Sequence, residues 1–132
     1  YPIYLDGNVS LSVTYSKTRL KSELSDNIIK VKVNLDFDTA VKEINTDKNI
    51  FTREELDRLT DMQNKYIIEI IKRAVNYSIQ NKRDILQIAR LIQNQHTGKW
   101  SDYEKKWNDT IPEIQYEYEV NSKITKSFIL ND

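Results

Sequence analysis

The sequence predicts an α+β domain, an antiparallel sheet of about four strands with helices packed on one face. Three observations predict it. Toward both ends of the chain apolar residues recur at every second position, the period of a half-buried strand. Between Leu56 and Val75 they recur at helical spacing instead. The resulting order of strand, strand, helices, strand, strand favours an antiparallel sheet with its helices gathered on one side. At 132 residues the chain fits a single domain, residues 1–132, able to bury roughly 65–70% of its unfolded surface in one core.

The first strand is expected at Val9–Tyr15, where Val9, Leu11, Val13 and Tyr15 alternate with Ser10, Ser12 and Thr14. Ser16 to Asn27 reads as a polar stretch in which Leu20 and Leu24 can still pack. Alternation resumes from Ile28 to Phe37, with Ile29, Val31, Val33, Leu35 and Phe37 set against Lys30, Lys32, Asn34 and Asp36. Val41 and Ile44 continue the core contact ahead of a polar loop from Asn45 to Asn49.

The long helix has a marked start. Thr52 with Glu55 three residues later forms a capping box, and Phe51 with Leu56 a hydrophobic staple. Such a start is worth about 1 kcal/mol. Leu56, Leu59, Tyr66, Ile67, Ile70, Ile71, Ala74 and Val75 then trace one apolar face, and a helix of about 28 residues reaches ~42 Å. An interruption is expected near Asn81. Ile85, Ile88, Ala89 and Ile92 open a second helix ending before Gly98, a suitable C′ residue.

Trp100 and Trp107 lie seven apart, near one line along a helix, with Tyr103 between them. A capping box of Ser101 and Glu104 starts the short helix that carries them. After Pro112 the period returns to two, with Ile114, Tyr116, Tyr118 and Val120 facing one way and Glu113, Gln115, Glu117 and Glu119 the other. The alternation runs on through Ile124, Phe128 and Leu130. Unbroken, that strand would exceed ~50 Å, so a bend or turn is expected near Asn121 and Ser122. The aromatic stripe and the two strand tyrosines read as core.

Composition excludes several chemistries. Without cysteine there is no disulfide, thiol nucleophile or thiolate metal site. Twenty basic residues balance twenty acidic ones, which argues against a nucleic-acid partner. The basic segment from Lys72 to Arg90, with Lys82, Arg83 and Asp84 inside it, reads as a solvated face with the capacity to touch phosphate or lipid headgroups. His96 is the single histidine, near a helix end, and reads as a surface or capping residue. Asp36 and Asp38 share a strand face but no further carboxylates complete an oxygen cage. Glu54, Glu55, Asp57 and Asp61 crowd the first turns of the long helix, where its dipole favours them. Two glycines, Gly7 and Gly98, leave no phosphate-cradling loop. Sequons at Asn8, Asn76 and Asn108 matter only in a chain secreted by a eukaryote. No apolar run approaches the ~20 residues of a membrane span, so the chain reads as soluble, and its start at Tyr1 suggests a piece of a longer protein. No catalytic residue, cofactor site or metal site is therefore expected.

The order of these motifs resembles the C-terminal domain of the C-subunit lipoproteins of GerA-type spore germinant receptors, the Ger(x)C family. The resemblance rests on Val9-Ser10-Leu11 with Ser16-Lys17 behind it, on Ile29 to Val33, on Asn81-Lys82-Arg83-Asp84-Ile85 at the family's K-x-D-I junction, and on Trp100, Trp107 and the strand to Ile124. Family members often carry glycines after the Asp-Ile pair and near the end of the last strand, where this chain has Gln87 to Arg90 and Ser127-Phe128. The resemblance implies a non-enzymatic interaction domain of a lipid-anchored protein on the outer face of the spore inner membrane. Its implied partners are integral-membrane A and B receptor subunits that respond to nutrient germinants. The alternative drawn from the residues is a small ligand-binding domain or enzyme with a pocket lined by Tyr116, Tyr118 or Trp107 and a perturbed carboxylate within it.

Overall fold

The structure, a computed structural model, describes residues 2–5, 9–44 and 49–125. It has the predicted α+β architecture: a four-stranded sheet in the order β1-β2-β3-β4, with helices packed against it. By contacts the chain groups into two compact units. Unit 1 takes residues 1–18, 35–68 and 120–132, and unit 2 takes 19–34 and 69–119.

β1 (Pro2–Leu5) is a strand the periodicity missed. Only Ile3 and Leu5 mark its buried side, too few to establish an alternation. It pairs antiparallel with β2 (Val9–Ser25) from Leu5↔Val9 to Pro2↔Ser12. β2 does not stop at Tyr15 as expected but runs through the polar stretch to Ser25. Near its start Val9, Ser10 and Leu11 are all buried, with Val9 and Leu11 in the unit 1 core, whereas further on the packed positions are even, Leu20, Ser22 and Leu24. Ser16, Lys17, Thr18 and Arg19 between them are exposed, so the segment carries no period at all. Asp26 and Asn27 then both adopt positive φ, 48° and 66°, as a two-residue hairpin turn requires.

β3 (Ile28–Ile44) buries Ile29, Val31, Val33, Phe37, Thr39 and Val41 on odd positions, with Ala40 buried between the last two, and extends seven residues beyond the expected end. β4 (Gln115–Thr125) shows no break at Asn121 or Ser122, contrary to expectation. Phe128 and Leu130 lie outside the described residues, as do Asn8 and the loop positions 45–48. The sheet is mixed. In unit 1 Asn121 pairs with Asp36 and Lys123 with Thr39, so β4 and β3 ascend together. A parallel pair needs a crossover connection, which the intervening helices supply.

α1 (Arg53–Asn81) starts with the Thr52 half of the expected box, the Glu55 N–H donating to Thr52 Oγ1 at 3.2 Å, and Phe51 packs on the unit 1 core. The Glu55 carboxylate also receives Arg58 at 2.9 Å. The helix ends at Asn81 as expected, and Lys82 turns out of it with φ 50°. α2 (Ile88–Gln95) starts later than the sequence suggested: Ile85 falls in the preceding turn and is exposed. Its last turn closes on His96, and Gly98 sits inside a following 3-10 turn (Thr97–Lys99) rather than at C′. The expected short helix is split into α3 (Ser101–Glu104) and α4 (Trp107–Thr110), and no side chain caps either. Trp100 occupies the α3 N-cap position, so the Ser101 and Glu104 box does not form.

Each unit has its own core. In unit 1, Ile3, Leu5, Val9, Leu11, Phe37 and Val41 of the sheet meet Ile50 and Leu59. In unit 2, Ile29, Val31 and Val33 meet Ile88 and Ile92 of α2, with Tyr103 and Ile114.

Candidate interaction surfaces

The aromatic residues that stood out in the sequence are core side chains of unit 2. Trp100 and Trp107 meet edge to face, centroids 5.2 Å apart at 68°, and both pack on the cluster around Ile88 and Ile92. The Trp107 indole Nε1 is buried with no hydrogen-bond partner among the described residues. Tyr116 and Tyr118 stack at 6.4 Å on the same cluster, and Lys72 Nζ lies 5.9 Å above the Tyr118 ring. Burial, aided by the Asp84 charge and by Tyr118, pushes the Tyr116 hydroxyl up to about 12. Burial also raises Tyr118. The cleft beside Trp107 is lined by Lys82, Glu104, Lys105, Lys106 and Asp109, an ionic rim and not an apolar pocket.

The other side of β3 and β4 is ionic. In unit 2, Lys30 reaches Glu117 at 3.0 Å, and Lys32 reaches Glu23 on β2 at 3.5 Å. The hydrogen bond and charge of Lys30 hold Glu117 below the usual carboxylate value, and Glu117 raises Lys30 in return. Asn34 and Glu119 border the same strip. Asp36 and Asp38 fall on this parity of β3 in unit 1, half-buried, where Asp36 accepts from Asn121 and the Asp38 carbonyl accepts from Thr14.

Where β2 passes through unit 2, α2 closes its backbone with side chains. The Ser22 N–H and Oγ both donate to Gln95 Oε1 at 2.8 Å, Gln95 Nε2 donates to the Leu20 carbonyl at 3.1 Å, and His96 Nε2 lies 2.9 Å from the Ser22 carbonyl. In a two-residue hairpin the residues two, four and six from the turn direct these groups away from their partner strand, so the clasp satisfies what would otherwise be an open edge. His96 is thus at a helix cap, as expected, with its ring on a strand. Periodicity could not reveal that contact, because both ends of it are polar.

Asp84, inside the basic segment, explains the K-x-D-I junction. Its Oδ1 accepts the Ile88 N–H at 2.6 Å and its Oδ2 the Ala89 N–H at 2.8 Å, so the carboxylate neutralises the start of α2. Gln87 next to it is left-handed, φ 57° and ψ 45°. That is the place where the family resemblance led one to expect glycine. Glu54 and Glu55 lie in the first turn of α1, with Asp57 and Asp61 following. Among the described residues no three His, Asp or Glu side chains converge on a point that could hold a metal, and no helix is long and apolar enough to cross a membrane.

These features define the class: an α+β domain with a helix-covered core face and an ionic opposite face. The chain belongs to the spore germination B3/GerAC-like C-terminal family, whose description matches residues 2–127. Its fold is similar to the crystal structure of the GerBC protein, with a TM-score of 0.80 at 21% identity over 94% of this chain. The chain spans 39% of that protein's length. No curated relative matches the sequence.

Proposed function

We propose that this domain is a non-enzymatic docking module of a germinant receptor C subunit, held at the outer face of the spore inner membrane by a lipid anchor upstream. Its partners would be the integral-membrane A and B subunits, and its contribution is to nutrient-triggered germination. The family match over residues 2–127 supports the receptor context. The observation that carries the docking role is the ionic strip of Lys30, Lys32, Glu117 and Glu23, which arrays fixed charges on a sheet face opposite the core. Charges ordered in this way select a partner by complementarity more than they add affinity.

The reading of a ligand-binding domain has less behind it. Tyr116 and Tyr118 pack on the unit 2 core, and the cleft at Trp107 has a charged rim. The test uses the full-length protein in spores. A photo-crosslinking side chain at Asn34 or Glu119 is expected to capture a receptor subunit, and Lys30→Glu is expected to slow germination at unchanged protein level. Absence of any crosslink from both positions, with normal germination of the Lys30→Glu spores, would remove the docking role.

A further inference from the structure

The basic segment contains a feature that the docking role does not use. At the junction of α1 and α2, Ser78 ties the loop to the helix: its carbonyl accepts the Arg83 N–H at 3.0 Å and its Oγ the Ile85 N–H at 3.4 Å. Tyr77, the neighbour of Ser78, is 49% exposed and Ile85 is 45% exposed. Arg73 lies one turn before Tyr77 on the same helix face. The Ser78 bonds thus bring the loop backbone of Arg83 and Ile85 to the helix turn that carries exposed Tyr77, with Arg73 one turn earlier on the Tyr77 face.

The local acids do not neutralise them. Asp84 spends both oxygens on the start of α2. Glu69, one turn before Arg73, forms no ion pair among the described residues, and neither do Arg73 and Arg83. Lys82 adds a further cation, with only an exposed contact to Asp109 at 3.5 Å. Left-handed Lys82 and Gln87 bracket the loop in which Ile85 is exposed.

We infer that this junction, with exposed Tyr77 and Ile85 and the cations Arg73, Lys82 and Arg83 in one short stretch, rests on an anionic bilayer surface. Apolar tips enter the headgroup boundary while guanidinium groups bind phosphate at its level. A protein surface would have to offer the same acidic rim around an apolar dent, whereas anionic lipid offers both everywhere. The inference stands on the junction's own geometry and does not depend on the ionic strip.

The test is sedimentation of the 132-residue chain, its fold checked by circular dichroism, with vesicles of phosphatidylcholine and phosphatidylglycerol in a three-to-one ratio. Binding is expected at low salt, weakening as salt rises, and absent with phosphatidylcholine alone. Replacing Arg73 and Arg83 together by Gln should lower partitioning roughly 25-fold, about fivefold for each charge. Ile85→Ser should lower it roughly fivefold with all charges kept, and Lys65→Gln, an exposed cation elsewhere on α1, should change it least. Because the chain has no cysteine, Ile85→Cys offers a single labelling site, and an environment-sensitive dye there should shift to the blue on the vesicles. No binding to the anionic vesicles, an Ile85→Ser chain that binds as well as the parent, or equal losses from Lys65→Gln would each overturn the inference. So would a Tyr77–Ile85 patch that crosslinks a receptor subunit while its variants keep full vesicle binding.

Discussion

Thr39 Oγ1 donates to Gln63 Oε1 across 2.8 Å in the core of unit 1, and both residues are completely shut off from solvent. The network continues: Gln63 Nε2 donates to Ser122 Oγ at 2.9 Å, and Ser122 donates to Asn64 Oδ1 at 2.5 Å. Strand β3, helix α1 and strand β4 are joined by one amide whose oxygen and nitrogen are both used. Gln63→Leu keeps the volume but leaves the Thr39 hydroxyl only the Lys123 carbonyl 3.4 Å away and removes the donor to Ser122 Oγ, at about 1–3 kcal/mol for a buried group left unpaired. A loss of about 2–3 kcal/mol is expected in denaturant unfolding. The double variant Gln63→Leu/Thr39→Val should recover part of it, and a neutral Gln63→Leu would show that the network adds no stability.

Gln95 is expected to protect an amide. Gln95→Ala removes the acceptor of the Ser22 N–H and the donor to the Leu20 carbonyl. Hydrogen exchange at Ser22 should rise about tenfold or more, matching a local loss of about 1–2 kcal/mol. Unchanged exchange at that amide would mean that another group covers the edge.

Gln87 holds a conformation that a side chain disfavours by about 1–2 kcal/mol. Gln87→Gly is expected to raise stability by about 0.5–1 kcal/mol, since part of the relief is offset by the freer unfolded chain. Thermal unfolding checks the sign. A fall in Tm would place the cost of this turn elsewhere.

Tyr116 should make the chain sensitive to alkali. Its hydroxyl stays protonated in the fold up to about 12, above the ordinary 10.0 of the unfolded chain. Between those values the unfolded state gives up the proton and the folded state keeps it, so stability falls as pH rises through this window. Tyr116→Phe should flatten that fall in urea titrations run across the range. In ultraviolet titration of the parent, a late phase toward about 12 is expected that Tyr116→Phe removes.

Trp107 packs on the unit 2 core without being fully enclosed, so Trp107→Ala is expected to cost about 3 kcal/mol, at the low end for a buried tryptophan. A loss below about 1 kcal/mol would return the aromatic pair to consideration as a binding surface.

The sequence was most legible where one residue type at one spacing has a single physical use. The Thr52 cap, the stop at Asn81 and the alternation of β3 from Ile29 to Val33 were of this kind. Reading failed where period and structure part company. The second half of β2 is a strand whose exposed residues and change of side leave no alternation to count, and β1 is too short to show one. Strand direction was not legible either: periodicity says which face a residue takes but not which neighbour it meets, so a parallel β4 looks the same as an antiparallel one. The clasp of Gln95 and His96 and the cap by Asp84 come from polar side chains on backbone groups, contacts that leave no trace in a hydrophobic pattern.

The parallel pairing of β4 with β3 also sets an order in time. The β2–β3 hairpin closes over two residues and forms on the order of 1–10 μs. The contact of Thr39 with Lys123 joins positions 84 apart, and nothing can complete it until the helices have been made. On a ribosome adding about 5–20 residues per second, the 70 residues between β3 and β4 take roughly 4–14 s to appear, and through that interval one edge of β3 has no strand beside it. Lys30, Lys32, Asp36 and Asp38 along that edge are then gatekeepers, keeping a nascent strand from joining its neighbours before its own last strand arrives.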